Sequence, residues 1–195
     1  MIDNTFESIF LIGFVTGCVI RAFYTKRCRR DRIPASRADW LEWPLIFLVF
    51  IGMQVIPIIY LFTSWLDFAD YHLPAGGGWF GAAVFAGALW LLWRSHADLG
   101  RNWSATLRIK EGQTLVTQGS YRYIRHPMYA AHWLWAMAQA LLLHNWIAGF
   151  AFLLTFLPLY LMRVPREERM MLEHFGEEYR SYMSRTGRLF PRLWG

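Results

Sequence analysis

Residues 127–162, PMYAAHWLWAMAQALLLHNWIAGFAFLLTFLPLYLM, decide the fold of this chain. The stretch contains no Asp, Glu, Lys or Arg, and the polar pair His144 and Asn145 divides it into two apolar segments. Each segment, Pro127–Leu143 and Trp146–Met162, is 17 residues long. A helix needs ~20 apolar residues to cross a bilayer, with a range of about 17–25. The stretch therefore predicts a tight helical hairpin that spans a membrane.

Three further apolar segments precede this hairpin, at Ser8–Tyr24, Trp43–Leu66 and Gly78–Trp93. Over the 195 residues, 55% are hydrophobic and 17% are charged, whereas soluble proteins carry roughly 25% charged residues. This composition excludes a disordered chain, and two cysteines are too few for a disulfide scaffold. We expect an all-α integral membrane protein with five transmembrane helices.

The 20 Lys and Arg residues are confined to three blocks: seven in 21–37, six in 94–125 and seven in 163–192. Such blocks between apolar segments follow the positive-inside rule. We therefore expect the N-terminus outside and the C-terminus in the cytoplasm, in the inner membrane of a prokaryote or the endoplasmic reticulum of a eukaryote. Because Asp3 and Glu7 stand where a signal peptide has basic residues, the first segment is predicted to be a retained helix.

Two cytoplasmic segments, 97–125 and 163–195, are too long to be simple connectors, so a site for a water-soluble ligand is expected there. In the first, Asn102, Trp103 and Ser104 are typical of a turn or a helix start. The second has an amphipathic pattern over Val164–Phe175, with Gly176 as a predicted C-cap. A short helix is predicted to follow over Glu177–Ser184.

The most informative stretch within these segments is GSYRYIRHPMY, residues 119–129. Pro127 suits the first turn of a helix, where its missing N–H group costs nothing. This places Arg125 and His126 beside free helix N–H groups, which is a favourable position for an anion. The structural alternative is that these side chains only anchor the helix at the membrane interface.

A second constellation closes the hairpin, where Arg163 and Glu167 are four residues apart and share one helix face. Pro165 lies between them and is predicted to interrupt the helix. The structural alternative is an arginine that snorkels to the interface and forms a surface ion pair.

Other patterns carry less information. Gly76, Gly78 and Gly81 have the spacing of a dinucleotide-binding loop, but no strand precedes them, so a loop leading into a helix is favoured. The histidines have no metal-ligand spacing, and neither cysteine indicates a metal site; these residues are His96, His132, His144, His174, Cys18 and Cys28. No metal or nucleic acid is expected as a partner.

Several motifs in one order resemble the isoprenylcysteine carboxyl methyltransferase family. They are YRYIRHPMY (121–129), RVPREE (163–168), FGEEYRSY (175–182) and TGRLFP (186–191). NWSATLRIKEGQTLV (102–116) also looks like that family. The resemblance covers roughly 100–195 and is closest to small prokaryotic five-span members. Phospholipid methyltransferases share the C-terminal pattern. Ser120 is a departure, since many relatives have proline there.

The resemblance implies methyl transfer from S-adenosyl-L-methionine to the carboxylate of a lipophilic, prenylcysteine-like substrate within the membrane. The cofactor would occupy a cytoplasmic pocket formed by 97–125 and the C-terminal helices, without a Rossmann domain. It also implies a three-span membrane region, 1–96, and a cofactor-binding and catalytic region, 97–195. Substrate would enter from the membrane lipid, toward which the transferable methyl group would point.

The resemblance also suggests roles for individual residues. Arg163 would bind the substrate carboxylate in a bidentate pair, and Glu167 would orient Arg163 or accept a substrate amide N–H. Glu168 or the carbonyls of 115–119 would take the cofactor ammonium or ribose hydroxyls. Arg125, His126 and the N-terminus of the fourth span would take its carboxylate. The other predicted cofactor-binding residues are Leu115, Val116, Gln118, Gly119, Tyr121 and Tyr129. A carboxylate is ionised near pH 7, so this transfer needs no strong base.

Three other functions stay open on the sequence alone. The first is N-methylation of a phosphatidylethanolamine-type amine, which would need a base such as Glu167. The second is a reductase that shares the C-terminal architecture. The third is an interaction protein whose basic loops lie on anionic lipid.

Overall fold

The computed structural model describes residues 5–28, 42–102 and 114–192. Apart from two isolated β-bridges, all regular secondary structure in these ranges is helical. The α-helices are α1 (Thr5–Cys28), α2 (Trp43–Phe50), α3 (Ile56–Phe62), α4 (Ala75–Leu99), α5 (Pro127–Leu143), α6 (Trp146–Phe175) and α7 (Glu177–Arg185). A π-helical turn, Ile51–Val55, joins α2 to α3, and 3-10 turns occur at Asp67–Ala69, Gly100–Asn102 and Gly119–Arg122. The all-α prediction is confirmed for the described residues. Trp103 and Ser104 lie outside them.

Four helical segments are long and apolar enough to cross a membrane: Thr5–Arg27, Trp43–Phe62, Ala75–Leu99 and Trp146–Phe175. They contain the predicted first, third and fifth spans, whereas the second ends at Phe62 and not at the predicted Leu66. Helix α5 has the predicted bounds and, at 17 residues, is shorter than these four. Large apolar side chains are exposed on the outside of the bundle, as expected of a lipid-facing surface; examples are Ile12, Val19, Phe23, Trp90, Leu154 and Leu161.

Helix α5 is the centre of the bundle and packs along α4, α6 and α1. Small residues allow the close approach: a Cβ added to Gly81 of α4 would lie 2.7 Å from the Leu141 Cβ of α5. Aromatic side chains fill the remaining core. The ring of Phe85 lies 5.0 Å from that of Trp135 and stacks on that of Phe10 at 5.6 Å.

The π-helical turn in the second span is stabilised from α5. In this turn the N–H of Ile56 donates to the carbonyl of Ile51, five residues earlier. The next carbonyl, that of Gly52, would need a donor at position 57, which is proline and has no N–H group. Instead the buried Gln139 donates to it at 3.1 Å. A carbonyl that would otherwise stay unpaired inside the membrane is thereby satisfied.

The connection between α5 and α6 is the predicted pair, His144 and Asn145. Asn145 caps α6, because its Oδ1 accepts the N–H groups of Ile147 at 3.0 Å and Ala148 at 2.8 Å. Its Nδ2 donates to the Leu66 carbonyl at 2.7 Å and to Asp70 Oδ1 at 2.8 Å. One buried amide thus fixes the hairpin turn and the preceding loop together.

Helix α6 is continuous over its 30 residues, so the prediction that Pro165 interrupts it is wrong. A proline removes one hydrogen bond, but the helix can continue where packing holds both sides. Val164 and Glu168 are buried on either side of Pro165 and supply that packing. Gly176 ends the helix with φ of +53°, as predicted, and α7 follows directly.

Candidate functional site

The start of α5 and the C-terminal third of α6 converge on one buried carboxylate, Glu168. Its Oε1 accepts hydrogen bonds from Arg125 Nε at 3.2 Å and Arg188 Nε at 3.2 Å, and lies 3.3 Å from His126 Nε2. Its Oε2 accepts from Arg188 Nη2 at 2.5 Å. These hydrogen bonds raise the pKa of Arg188 above its ordinary value. We call Glu168, Arg125, His126 and Arg188 the Glu168 cluster.

The C-terminal tail is docked onto the segment before α5. The N–H of Arg125 donates to the Gly187 carbonyl at 2.8 Å, and the N–H of His126 donates to the Arg188 carbonyl at 3.1 Å. The Arg125 guanidinium also donates to the carbonyls of Met183 and Thr186. The tail therefore holds Arg125 and His126 in place through backbone and side-chain contacts.

Tyr182 of α7 adds a further link, because its hydroxyl donates to the Tyr121 carbonyl at 2.7 Å. Burial raises the pKa of both tyrosine hydroxyls, so they stay protonated near neutral pH. Tyr121 itself is 8% exposed. The structure thus places Tyr121 in the packing beneath the tail, whereas the family resemblance suggests Tyr121 as a cofactor-binding residue.

Glu167, next to the cluster in sequence, points toward α5 instead. The Tyr129 hydroxyl donates to Glu167 Oε2 at 2.9 Å. The Tyr129 ring is enclosed by other rings, with centroid distances of 5.5 Å to His126, 6.2 Å to Phe156 and 5.9 Å to Tyr160. A rigid aromatic donor therefore orients this carboxylate.

Arg163 lies one helical turn before Glu167 on α6 and is half-buried. The charges of Arg163 and Glu167 both act on the Tyr129 hydroxyl. The structure thus brings together the predicted catalytic pair and Tyr129, which was predicted as a wall of the cofactor site. A guanidinium and a carboxylate at one membrane-proximal position can bind an anion and orient it.

The segment before α5 is fixed to α4 by Asp98. Asp98 Oδ2 accepts the Ser120 N–H at 2.7 Å and the Ser120 hydroxyl at 2.8 Å, while Arg94 Nε lies 3.1 Å from Asp98 Oδ1. Gly119 has φ of +61°, and a Cβ there would lie 2.2 Å from Asp98 Oδ2. A proline at position 120 would form neither of these two hydrogen bonds to Asp98.

Residues 114–117 have no regular secondary structure and lead into this turn through Gln118, which is extended. Leu115 and Val116 are half-buried and Gln118 is exposed, and they precede Gly119, which lies against Asp98 of α4. Arg125, His126 and Glu168 belong instead to the Glu168 cluster. Seven of the nine predicted cofactor-binding residues therefore fall into two groups, one along 115–119 and one in the Glu168 cluster. Tyr121 lies beneath the tail instead, and Tyr129 contacts Glu167.

The sequence reasoning missed Asp98, Arg188 and Tyr182. Arg188 and Tyr182 lie within the motifs TGRLFP and FGEEYRSY, so their motif membership was an available signal. Asp98 had a weaker signal, its spacing of four residues from Arg94 on one helix. Its bond to Ser120 joins residues 22 positions apart, which no local pattern indicates.

Residues 80–173 match the sequence model described as "Isoprenylcysteine carboxyl methyltransferase (ICMT) family". This region begins and ends earlier than the resemblance seen in the motifs, and it contains every predicted site residue. Arg188 and Tyr182 lie beyond it.

Curated relatives carry the same kind of name. The chain is 34% identical over 79 residues to "Protein-S-isoprenylcysteine O-methyltransferase" of Schizosaccharomyces pombe, covering 40% of this chain and 34% of the relative. It is 33% identical over 89 residues to a "Probable protein-S-isoprenylcysteine O-methyltransferase" of Oryza sativa subsp. indica, a match that covers 45% of this chain and 47% of the relative. The chain is also 35% identical over 82 residues to the "Protein-S-isoprenylcysteine O-methyltransferase" of Homo sapiens, a match that covers 42% of this chain and 29% of that relative. The matches thus span less than half of each relative.

A solved structure is also similar, "Structure of the eukaryotic intramembrane Ras methyltransferase ICMT (isoprenylcysteine carboxyl methyltransferase) without a monobody". The TM-score is 0.51 at 20% identity, and the match covers 83% of this chain and 55% of the other. At this identity the likeness shows a shared helical membrane fold. Together with the match over residues 80–173, just under half of the chain, it shows that this chain is similar to the isoprenylcysteine carboxyl methyltransferase family.

Proposed function

We propose that the protein transfers a methyl group from S-adenosyl-L-methionine to the carboxylate of a lipophilic, prenylcysteine-like substrate within the membrane. One observation carries this proposal: Arg163 and Glu167, with Glu167 held by Tyr129, lie together inside the family region at the end of the α5–α6 hairpin. The names of the curated relatives, O-methyltransferases, support the reaction class.

The proposal includes a five-span topology with the site on the cytoplasmic side. Arg125, just before the start of α5, contacts Glu168 near the end of α6. The end of α5 is joined to the start of α6 by only two residues. The two helices are therefore antiparallel, and if α6 crosses the membrane, α5 crosses it too. Its 17 residues would reach ~26 Å, close to a ~30 Å hydrocarbon core. The basic blocks then favour a cytoplasmic C-terminus.

The donor and acceptor groups beside the site suit S-adenosyl-L-methionine, which carries a carboxylate, an ammonium group and a sulfonium. The N–H groups of Met128 and Tyr129, in the first turn of α5, can bind the carboxylate. Among described residues, peptides 115–117 form no backbone hydrogen bonds, so their carbonyls can accept from the ammonium or the adenine amino group. The Tyr129 face can contact the sulfonium. When bound, the cofactor supplies an electrophilic methyl group.

Within this arrangement we assign the Glu168 cluster a supporting role. Arg125 and Glu168 use their polar atoms on each other, on Arg188 and on tail carbonyls. They therefore hold the start of α5, which presents its N–H groups, rather than binding the cofactor themselves. His126 remains close enough to the first turn to contact a carboxylate bound there.

Arg163 would bind the substrate carboxylate, and Glu167 would keep Arg163 oriented or accept an amide N–H of the substrate. Because the carboxylate is already ionised, these residues need to position it and exclude water, not remove a proton. The rigid ring contacts of Tyr129 suit a positioning function of this kind. The region 1–96 would supply three spans, and 97–195 the cofactor and catalytic groups.

The test is turnover by the purified full chain in lipid nanodiscs with labelled S-adenosyl-L-methionine. N-acetyl-S-farnesylcysteine and phosphatidylethanolamine are offered separately. We expect a base-labile methyl ester from the first and no product from the second. A methylated amine would assign the protein to N-methyl transfer instead. Failure to bind the cofactor, measured by calorimetry, would reject the enzyme proposal.

A further inference from the structure

Glu42 is a buried carboxylate at the start of the second span, with 6% of the residue exposed. It directly precedes α2, but its side chain caps no N–H group of that helix. Among residues 5–28, 42–102 and 114–192, none forms a hydrogen bond or an ion pair with its carboxylate. Because burial of a charge without a partner is costly, this carboxylate is suited to a positively charged ligand.

Glu42 lies on the inward face of its helix. At about 100° per residue, Leu45, Ile46 and Val49 stand within roughly 60° of it, and all three pack against the core of the bundle. The exposed large apolar residues of α2 point in other directions; they are Trp43, Phe47, Leu48 and Phe50. The side chain of Glu42 is therefore directed between the helices and away from lipid.

Gly52 sets the level of the second span against α6. A Cβ there would lie 2.2 Å from Thr155 Oγ1 and 2.6 Å from the Ala151 carbonyl. The span and α6 are antiparallel, since Asn145, just before α6, donates to the Leu66 carbonyl beyond α3. A step along the span toward its start is therefore a step toward the C-terminal end of α6.

This register brings Glu42 to the level of the candidate site. Glu42 precedes Gly52 by ten residues, which is about 15 Å of helix. The same distance along α6 from 151–155 leads to 161–165, where Arg163 lies. The carboxylate of α2 and the guanidinium of α6 are thus at one depth in the bundle.

Tyr129 of α5 reaches this depth as well. Its ring lies 5.9 Å from that of Tyr160, and its hydroxyl donates to Glu167. The charge of Glu42 acts on this hydroxyl together with the charges of Glu167 and Arg163. Side chains from α5, α6 and the start of the second span therefore meet around Tyr129.

The groups that meet there suit different parts of the ligands. Glu167 accepts from Tyr129, and the fork of Arg163 suits a carboxylate. S-adenosyl-L-methionine has two positive groups, of which the ammonium can donate to the carbonyls of 115–117. The sulfonium has no N–H or O–H group to donate, so an opposite charge is the main means of recognising it. Glu42 supplies such a charge.

We propose that Glu42 is a cofactor-binding residue that faces the sulfonium of S-adenosyl-L-methionine. This proposal rests on the proposed function and extends it to the second span, outside the family region 80–173. Methyl transfer forms an O–C bond, breaks the S–C bond and leaves that electron pair on sulfur, so the positive charge near Glu42 disappears. Glu42 would therefore favour the methyl donor over the product, S-adenosyl-L-homocysteine.

The test compares these two ligands, which differ only in the methyl group and the charge that it brings. Binding of each is measured by calorimetry for the full chain in phosphatidylcholine nanodiscs. We expect Glu42→Gln to weaken binding of S-adenosyl-L-methionine about tenfold and to change binding of S-adenosyl-L-homocysteine less than twofold.

Glu7→Gln is the matched control, because Glu7 is an equally buried carboxylate of the first span, with 7% of the residue exposed. It lies at the opposite end of the bundle, where the ring of the adjacent Phe6 is 5.6 Å from that of His144. We expect this variant to bind both ligands as wild type does.

A second variant serves if Glu42→Gln does not fold. Glu42→Asp keeps the charge and withdraws it by one methylene group. We expect it to bind S-adenosyl-L-methionine less tightly than wild type and S-adenosyl-L-homocysteine equally well. In either variant, equal weakening of both ligands would mean that Glu42 acts on a part that they share or only supports the pocket. That result, or unchanged binding of both, would overturn the proposal.

Turnover separates this proposal from the function on which it rests. If wild type forms the ester and Glu42→Gln raises KM for S-adenosyl-L-methionine about tenfold, both stand. If wild type forms no ester but Glu42→Gln weakens only the sulfonium ligand, the reaction is wrong and the role of Glu42 stands. If wild type binds neither ligand, both are rejected.

Discussion

The hydroxyl of Tyr129 on α5 donates a 2.9 Å hydrogen bond to Oε2 of Glu167 on α6. The residues are 38 positions apart, and the bond bridges the open end of the hairpin that the two helices form. It links the motif at the start of α5 to the motif in the C-terminal half of α6. Its position beside Arg163 makes it the most direct target for mutation.

Tyr129→Phe removes this hydrogen bond and keeps the ring that packs against Phe156. We expect kcat to fall about tenfold, since one orienting hydrogen bond is worth roughly 1–2 kcal/mol. The midpoint of thermal unfolding should change little. Tyr123→Phe is the control, because Tyr123 is 59% exposed. Equal activity of Tyr129→Phe and wild type would remove the hydroxyl from the site.

Arg163→Lys preserves the charge but loses the planar fork that binds a carboxylate through two N–H groups. We expect most turnover to be lost, with cofactor affinity in calorimetry retained. Arg166→Lys, an exposed position on the same helix, should behave like wild type. Near wild-type turnover of Arg163→Lys would exclude Arg163 from the reaction.

Glu168→Gln removes the charge that two arginines share. Removing one partner of a buried ion pair costs about 3–5 kcal/mol, and the amide of glutamine would recover part of this. We expect a clear fall in thermal stability in detergent. Glu177→Gln is matched, because its pair with Arg180 is exposed and such pairs are worth about 0–1 kcal/mol. Equal stability of the two variants would contradict a stabilising role for the cluster.

Gly119→Ala tests the turn held by Asp98. The substitution adds positive-φ strain and a Cβ that would lie 2.2 Å from the Asp98 carboxylate. Gly176→Ala shares the positive φ but meets nothing within 4 Å, so it isolates the cost of strain. We expect Gly119→Ala to lower both unfolding temperature and cofactor affinity more than Gly176→Ala. Similar effects of the two would mean that Asp98 moves away without cost.

Much of the helical architecture could be predicted from residue patterns. The bounds of α5, the two-residue connection and the Gly176 cap agree with prediction, because hydrophobic length, Asn capping and positive φ are local properties. The interruption at Pro165 was wrong because a lost hydrogen bond is also local, whereas the packing of Val164 and Glu168 that keeps α6 continuous is not. The residue roles in the candidate site remain predictions.

By itself, the sequence determined that this is a helical membrane chain, which residues lie in its apolar segments, and which polar motifs flank the hairpin. Only the tertiary structure decided which partners those polar residues take. Glu167 and Glu168 are adjacent in sequence, yet one accepts from Tyr129 and the other from Arg125 and Arg188. The reason is geometric: successive residues of a helix point about 100° apart, so neighbouring carboxylates meet different elements of the fold.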